Sequence, residues 1–539
     1  MELPQPSVLG TLALLALGVL AALAVRVIQL RFLHPLRRFP GPWLRSISQI
    51  PTAMDLLQAK QPMVMKKLHE KYGKFYTQHK APQLAYKLTK SYHFLCSGPI
   101  VRLAPNELSF IDADAWEAIF GFQKTGPNFE KSELFIGAVN PLNGSVGISL
   151  APNEIHTRQR KALAAPFTNK ALLQQESILQ VHVDKFVAAM KKMAREGQAV
   201  NLANWYTFVT FDMIGDICFA EPFGCLDSAE STEWAASIVN IFKSAVWDQA
   251  IRRLTKTGSL LHKILLKLIV PADAARWRQV HFQNSKEKTM RRLADPDRDH
   301  PDLIKHILDN EGSRKGLTET EIILNMVLFI SAGSETTANL ITGWTYFMLR
   351  HPAKLARATS EVRGAFPGAD SEIRWEGVKN LKYLEATIHE ALRLFSPAAA
   401  NQMRVVGPQG ATVCGHFVPA GTTAGIAPYA AVHSPRNFSY PDDFAPERWL
   451  GDGDPRYAGD RLQASQAFSV GPRGCIGKNL SWMEMRLILS NLLWHFDLAL
   501  DEETPPARAS LKKWDDFDID SFATWIKPDL WVKMREVAR

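Results

Sequence analysis

Three short runs carry residue types that do chemistry. The first is Phe468-Ser-Val-Gly471-Pro-Arg473-Gly474-Cys475-Ile-Gly477, where one thiol lies between glycines, beside an arginine and just before a helix start at Lys478. Backbone N–H groups and the positive end of a helix dipole favour S⁻ over SH, so the run suits a thiolate metal ligand. Glycines allow positive φ and keep side chains away from a flat object against the loop, which Phe468 can cover from below. A lone cysteine is more often a small buried hydrophobe, so the argument rests on the whole string. A phosphate loop over Gly471 to Lys478 is set aside, because the glycine spacing is wrong and Asn479 replaces the required Ser/Thr. The second run, Ala332-Gly333-Ser334-Glu335-Thr336-Thr337, interrupts an apolar helical stretch with an acid and hydroxyls. Glycine costs about 1 kcal/mol in a helix interior and an unpartnered buried carboxylate more, so either the helix surfaces there or these groups have compensating partners. The third, Glu390-Ala-Leu-Arg393, puts an acid and a base one turn apart, which in isolation is a solvated helix face.

In this order, and with Phe444-Ala-Pro-Glu-Arg448-Trp449 between the third run and the cysteine, the set resembles the motifs of the cytochrome P-450 family, the heme-thiolate monooxygenases. The resemblance implies a mainly α cytochrome P-450 fold, a large helical domain with small peripheral β-sheets, and a heme b cofactor with Cys475 as axial iron ligand. It makes Thr336 the alcohol and Glu335 the acid that deliver protons to activated dioxygen, on a helix whose glycine allows close approach and whose local distortion opens a groove. Glu390, Arg393 and Arg448 become a buried structural triad, with Trp449 where phenylalanine is common. Heme propionates need cationic or hydrogen-bonding partners. By position these are His156 and Arg160 of His156-Thr-Arg-Gln-Arg160, Arg404, and Arg473, with Phe468 also against the cofactor.

The implied reaction inserts one atom of O2 into a hydrophobic small molecule, with electrons from NADPH through an NADPH-cytochrome reductase that docks near Lys478 and Arg486. The likeness is strongest to fungal members of secondary metabolism, acting on a polyketide, terpenoid or alkaloid intermediate. Two alternatives stay open: a heme-thiolate isomerase or dehydratase that needs no external electrons, and an inactive product. By position, the substrate pocket draws on Phe122 to Ile148, Asn204 to Phe211, Phe329 to Thr336 and Ala398 to Gln402.

These residues need elements to hold them. Thr318-Glu-Thr-Glu321 is a capping box opening a helix that runs to Arg350 and stops at His351-Pro352. Asn380 is the expected cap of a helix over Leu381 to Leu394, ended by Ser396-Pro397. Short strands with turn glycines fall between Val405 and Ala424. The stretch Ile251 to Val270 is amphipathic and reads equally as a membrane-dipping access path for lipophilic ligands or as two packed core helices.

The chain has 539 residues, 46% hydrophobic and 22% charged, a globular composition. Its net charge of +9 is too diffuse for nucleic acid, with no dense basic run interleaved with aromatics, and favours an anionic membrane or an acidic partner. Cysteines at 96, 218, 225, 414 and 475 lack the rhythm of disulfides or a zinc site. Residues 1–30 form a membrane anchor whose apolar run spans about 8–25, followed by a basic, proline-rich hinge over 31–42 and a single catalytic domain over 43–539. Arginines 26, 31, 37 and 38 put the C-terminal side in the cytosol, at the endoplasmic reticulum membrane by family likeness. A cleaved signal peptide fits less well, since the basic n-region is missing. In the hinge, the prolines of Phe39-Pro-Gly-Pro42 stop the anchor helix. Three sequons, at Asn143, Asn437 and Asn479, should be silent in a cytosolic domain.

Residues 74–97 stand out: four lysines, two histidines, three tyrosines and no acid, between Lys71-Tyr-Gly73 and Gly98-Pro-Ile-Val-Arg102. Excised in the phase that merges the Gly73 and Gly98 codons into one glycine, the segment leaves Lys-Tyr-Gly-Pro-Ile-Val-Arg, as the matching junction reads in fungal family members. Gly73-Lys74 can be written G|GTAAG, Leu88-Thr89 can hide CTAAC and Ser97-Gly98 can be written TCAG|G. The segment is therefore either a translated intron or an ordinary insertion, which loop-closure entropy tolerates.

Overall fold

The computed structural model describes residues 8–73, 99–123, 126–135, 141–297, 299–309, 316–368, 371–451 and 454–538. The segment 74–97 lies outside them. An apolar helix, Val8–Ile28, continues through a π turn, Gln29–Leu33, giving a stretch of 25 residues from Leu9 to Leu33 long and apolar enough to cross a membrane. It ends one proline earlier than the hinge reading has it. His34 is extended and its Nδ1 accepts the Leu36 N–H, so the chain turns at Pro35 before Pro40 is reached. The Pro40-Gly41-Pro42 run instead lies on the first strand, where Arg102 donates its N–H to Pro40 at 2.7 Å. A Cβ on Gly41 would sit 2.4 Å from the Arg102 carbonyl oxygen, so only glycine allows this approach.

The body is built around the helix Glu319–Arg350. Its capping box forms as the sequence predicts: Thr318 Oγ1 accepts the Glu321 N–H, and Glu321 Oε2 accepts the Thr318 N–H at 3.0 Å. The same Glu321 ion-pairs with Arg158, which ties the helix Asn153–Leu163 to the start of the long helix. The long helix packs against Leu202–Phe219 and the helix Lys478–His495 within one large apolar cluster that includes Trp344, Phe395 and Trp482. The helix Lys382–Leu394 is not capped by Asn380, whose amide bonds back to the Glu376 carbonyl. Its first free N–H groups, at Tyr383 and Leu384, are taken by the two carboxylate oxygens of Glu361 at 2.8 Å each. A carboxylate supplied from the helix Pro352–Ala365 does the work of a cap and is invisible to local pattern.

Sheets are small and peripheral. One has five strands in the order Ile100–Ala104, Glu107–Phe110, Thr423–Ile426, Gln402–Val405, Glu130–Lys131, antiparallel except between the second and third. Another joins Val200–Asn201, Trp531–Glu536 and Phe496–Leu500. The chain is thus mainly α with small sheets, as expected.

The Glu390 cluster fills the core rather than a solvated face. Glu390 and Arg393 are fully buried and bidentate, at 2.9 and 2.7 Å, and Arg448 Nε reaches Glu390 Oε1 at 3.2 Å. Arg448 also pairs with Asp460, and Arg393 donates to the Val432, Pro441 and Asp443 carbonyls. Buried charges are tolerated when every donor and acceptor is matched in this way.

Candidate active site

The cysteine loop is shaped by its backbone before any ligand is considered. Gly471 takes φ +72°, and a Cβ there would lie 2.0 Å from the Phe120 carbonyl oxygen, so this glycine is required by packing as well as by conformation. Cys475 N–H closes the loop on the Phe468 carbonyl at 2.8 Å, and Arg160 Nη1 donates to the Gly474 carbonyl at 2.7 Å. The helix Lys478–His495 then begins directly. The Cys475 side chain is accessible although protein surrounds it, because the space it faces is an internal cavity of about 510 Å3. Burial pushes the thiol above its ordinary value, opposed by a hydrogen bond from the Gly477 N–H and by the charges of Arg160 and Lys478.

Arg160, His156, Arg404, Phe468, Arg473 and Thr336 line the same cavity as Cys475. So does Lys131, which the sequence reading did not single out. Lys131 is registered directly opposite Arg404 on paired strands, and like charges so placed repel. Arg473 reaches Asn153 Oδ1 at 2.9 Å, the Ala151 carbonyl at 2.8 Å and Glu130 at 3.2 Å, while its buried Nη1 has no partner. Burial lowers the Lys131 ammonium well below its usual value, with Arg404 and Arg473 adding to the effect. The Arg404 guanidinium is lowered to about 10, and His156 falls to about 3 through burial and then the surrounding cations. Among the described residues Glu130 is the one carboxylate paired with this group. A crowd of cations with an unfilled donor, at the edge of the cavity that holds Cys475, fits a bound dianion, and heme propionates supply that charge.

On the long helix, Thr336 reaches the cavity and its hydroxyl donates to the Ala332 carbonyl at 2.7 Å. The anticipated distortion is not seen: helical structure persists through 332–337, and the Thr336 and Ser334 hydroxyls bond back to the Ala332 and Ile330 carbonyls within it. Gly333 lines the cavity, as the sequence reading expects, and also packs on the adjacent helix, where a Cβ would lie 2.7 Å from Ile214 Cδ1 and that flexible side chain would have to shift. Glu335 does not line the cavity. It is buried, pairs with Lys527 at 2.5 Å and accepts from Asn339 Nδ2 at 3.0 Å. A second acid, Glu484, does reach the cavity wall, with Thr337 Oγ1 donating to its Oε2 at 3.0 Å. No motif announced it, because a glutamate inside an apolar helix resembles any surface position.

The remaining walls are mostly apolar. Phe135 and Ile148, Phe329, and Ala398 to Gln402 contribute as expected, but Asn204 to Phe211 does not; Ile214 is the contact from that helix. Phe242, Val246 and Gln249 of the helix Glu233–Leu254 complete the wall, with Gln61 and Ala523. Of the two readings of Ile251 to Val270, packed helices fail for its second half: in Leu260–Ile269, Leu260 and Leu268 are 76% and 75% exposed, and His262 is the buried residue. On the cysteine side Lys478 is exposed, but Arg486 is buried between Trp375 and Trp482 and paired with Glu385 at 2.8 Å, so it cannot dock a partner. Asn437 is also buried, giving both amide hydrogens to the Ile111 and Ala431 carbonyls, which excludes a glycan in the folded chain.

Comparison with known proteins agrees with this geometry. Residues 86–515 match the family described as cytochrome P-450. The chain is 61% identical to cytochrome P-450 monooxygenase ABA2 of Pyricularia oryzae, over 97% of this chain and 95% of that protein. It is 54% identical to cytochrome P-450 monooxygenase aba2 of Botryotinia fuckeliana, again over 97% and 95%. Averantin hydroxylase of Dothistroma septosporum is 36% identical over 93% of this chain and 87% of its own.

Proposed function

This chain belongs to the cytochrome P-450 family, and we propose that it is a membrane-anchored monooxygenase that places one oxygen atom from O2 into a C–H or double bond of a hydrophobic secondary-metabolite intermediate. The observation that carries this reading is the convergence on one cavity of Cys475, a cationic cluster and Thr336. Heme b, when bound, supplies the oxygen-activating iron and takes Cys475 as its thiolate ligand. Burial raises the thiol, Gly477 N–H, Arg160 and Lys478 act against that rise, and the closed loop fixes the direction of the sulfur. Arg473, Arg404, Lys131 and His156 would hold the propionate edge, and Phe468, which lines the same cavity, would lie against the group.

Thr336 presents its hydroxyl to the cavity, while Glu335 and Lys527 form a buried ion pair behind it. Apolar walls from Phe135, Phe242, Val246 and Phe329 exclude water and select a hydrophobic substrate. Leu260, Leu261, Ile264 and Leu268 immerse in the bilayer and give such a substrate an access path, beside an anchor that keeps the catalytic body on the cytosolic face of the endoplasmic reticulum. Electrons come from NADPH through a flavoprotein reductase that approaches the exposed Lys478 side.

The test is turnover of fungal polyketide, terpenoid and alkaloid candidates by the full chain with reductase, in parallel with and without NADPH and under 18O2. Product carrying one 18O only when NADPH is present is the expected result. Product formed equally without NADPH and without 18O would instead establish the isomerase or dehydratase alternative.

A further inference from the structure

We propose that Gln61 and Gln249 form a carboxamide clamp in the cavity, which holds a neutral O–H end group, an alcohol or a protonated carboxyl, of an otherwise hydrophobic substrate. The inference rests on the monooxygenase reading and narrows its substrate class. Gln61 opens the helix Gln61–Gly73 and is only 4% exposed, yet it lines the cavity. Its Oε1 accepts the Asn401 N–H at 3.4 Å, and its Nε2 has no hydrogen-bond partner among the described residues. That nitrogen is not sealed inside protein, so its hydrogens are presented to the cavity. Gln249 belongs to the helix Glu233–Leu254, where Phe242, Val246 and Gln249 share one face at helical spacing and meet the cavity. Its amide makes no hydrogen bond among the described residues.

Several ties bring the two amides to one end of the cavity. Ser521 N–H bonds to the Ala59 carbonyl at 2.8 Å, two residues before Gln61, and Phe522 packs in one cluster with Val246 and Ala250, which flank Gln249. Arg253, one turn beyond Gln249, reaches Glu107 at 2.7 Å, and the same carboxylate accepts Asn401 Nδ2 at 3.2 Å. Ser521 also lines the wall, and its hydroxyl has no partner.

The ligand chemistry follows from what this end offers. Arg253 and Glu107 satisfy each other, with side chains 0% and 1% exposed, so no free cation waits for an anionic group. An ionised carboxylate would exchange water for neutral amides alone, which is unfavourable. A hydroxyl or a protonated carboxyl both donates and accepts, as a carboxamide does, and pairs with it without charge. Were the glutamines only wall filler, leucine or methionine would line the same surface without leaving amides unpaired.

The experiment measures binding of dodecane, dodecanol and dodecanoic acid to the parent holoenzyme, Q61L and Q249L by equilibrium dialysis. Dodecanol should bind each variant about fivefold to tenfold more weakly than the parent, the share of one neutral hydrogen bond, while dodecane binds all three alike or the variants more tightly. Dodecanoic acid runs as a separate arm, and whichever of the two O–H ligands loses more affinity marks the end group that the clamp fits. No dodecanol binding to the parent, undiminished dodecanol binding in either variant, or equal losses for dodecanol and dodecane would overturn the proposal. Reduced CO spectra of the same samples keep the two readings apart: a parent without the thiolate band sinks the monooxygenase reading, whereas an intact band with undiminished dodecanol binding in the variants sinks the clamp alone.

Discussion

The indole of Trp449, standing where phenylalanine is common, donates its N–H to Glu390 Oε2 at 2.9 Å and stacks on His389. The departure therefore supplies one more donor to a carboxylate already held by Arg393 and Arg448. W449F should lower unfolding free energy by about 1–2 kcal/mol, the worth of a hydrogen bond to a charged group, as measured by urea denaturation. E390A leaves the buried Arg393 guanidinium without its anion and Arg448 with Asp460 alone, and should cost about 3–5 kcal/mol, with heme retention lost as well. Glu484 gives a pH signature of known sign. Its folded value of about 8 lies above its ordinary 4.5, so the folded chain holds an extra proton between them. That contribution to stability is complete below about pH 4.5 and is lost as pH rises through about 8, a change on the order of 4 kcal/mol. Urea midpoints should fall more between pH 6 and pH 9 for the parent than for E484Q. Cys475, Thr336 and Arg473 were legible because they occupy fixed places in short strings. Lys131 was not: its role comes from a strand register that brings it beside Arg404 from 273 positions away, and nothing local marks it.

At the scale of elements, a helix cap closed within a few residues was read correctly, and one closed from a distance was not. The capping box at Thr318 forms as written, whereas the cap at Lys382 comes from Glu361 and the anchor ends at Pro35 rather than Pro40. One such long-range fit in the cysteine loop is Gly471 against Phe120. G471A combines a strained φ with a backbone clash, and should abolish heme binding while leaving far-ultraviolet circular dichroism near that of the parent. Periodicity left the helix Leu260–Ile269 undecided because an apolar stripe looks the same whether it faces a core or a membrane. Its exposed leucines predict that, in a chain lacking residues 1–33, exchanging Leu260 and Leu268 for serine weakens binding to phospholipid vesicles by at least about tenfold in sedimentation assays.

For the whole molecule, one mainly helical body with small sheets followed from the helical signals and from the family likeness that motif order carries; the runs at 332–337 and 468–477 meet at the cavity, while Glu390, Arg393 and Arg448 pack in the core. Side-chain direction did not follow: Glu335 and Thr336 are adjacent in sequence and face different surroundings. The segment 74–97 leads from the helix Gln61–Gly73 to the strand Ile100–Ala104. We propose that it is a retained intron, and mature transcripts should join the Gly73 codon directly to Pro99, whereas a message that always carries the segment would make it an insertion. The central claim, that this cavity holds heme on Cys475, is tested most directly by the reduced, CO-bound difference spectrum of the full chain and of C475S. A red-shifted thiolate Soret band in the parent, lost in C475S, is the predicted result. A heme-loaded parent without that band, or a band unchanged in C475S, would contradict it.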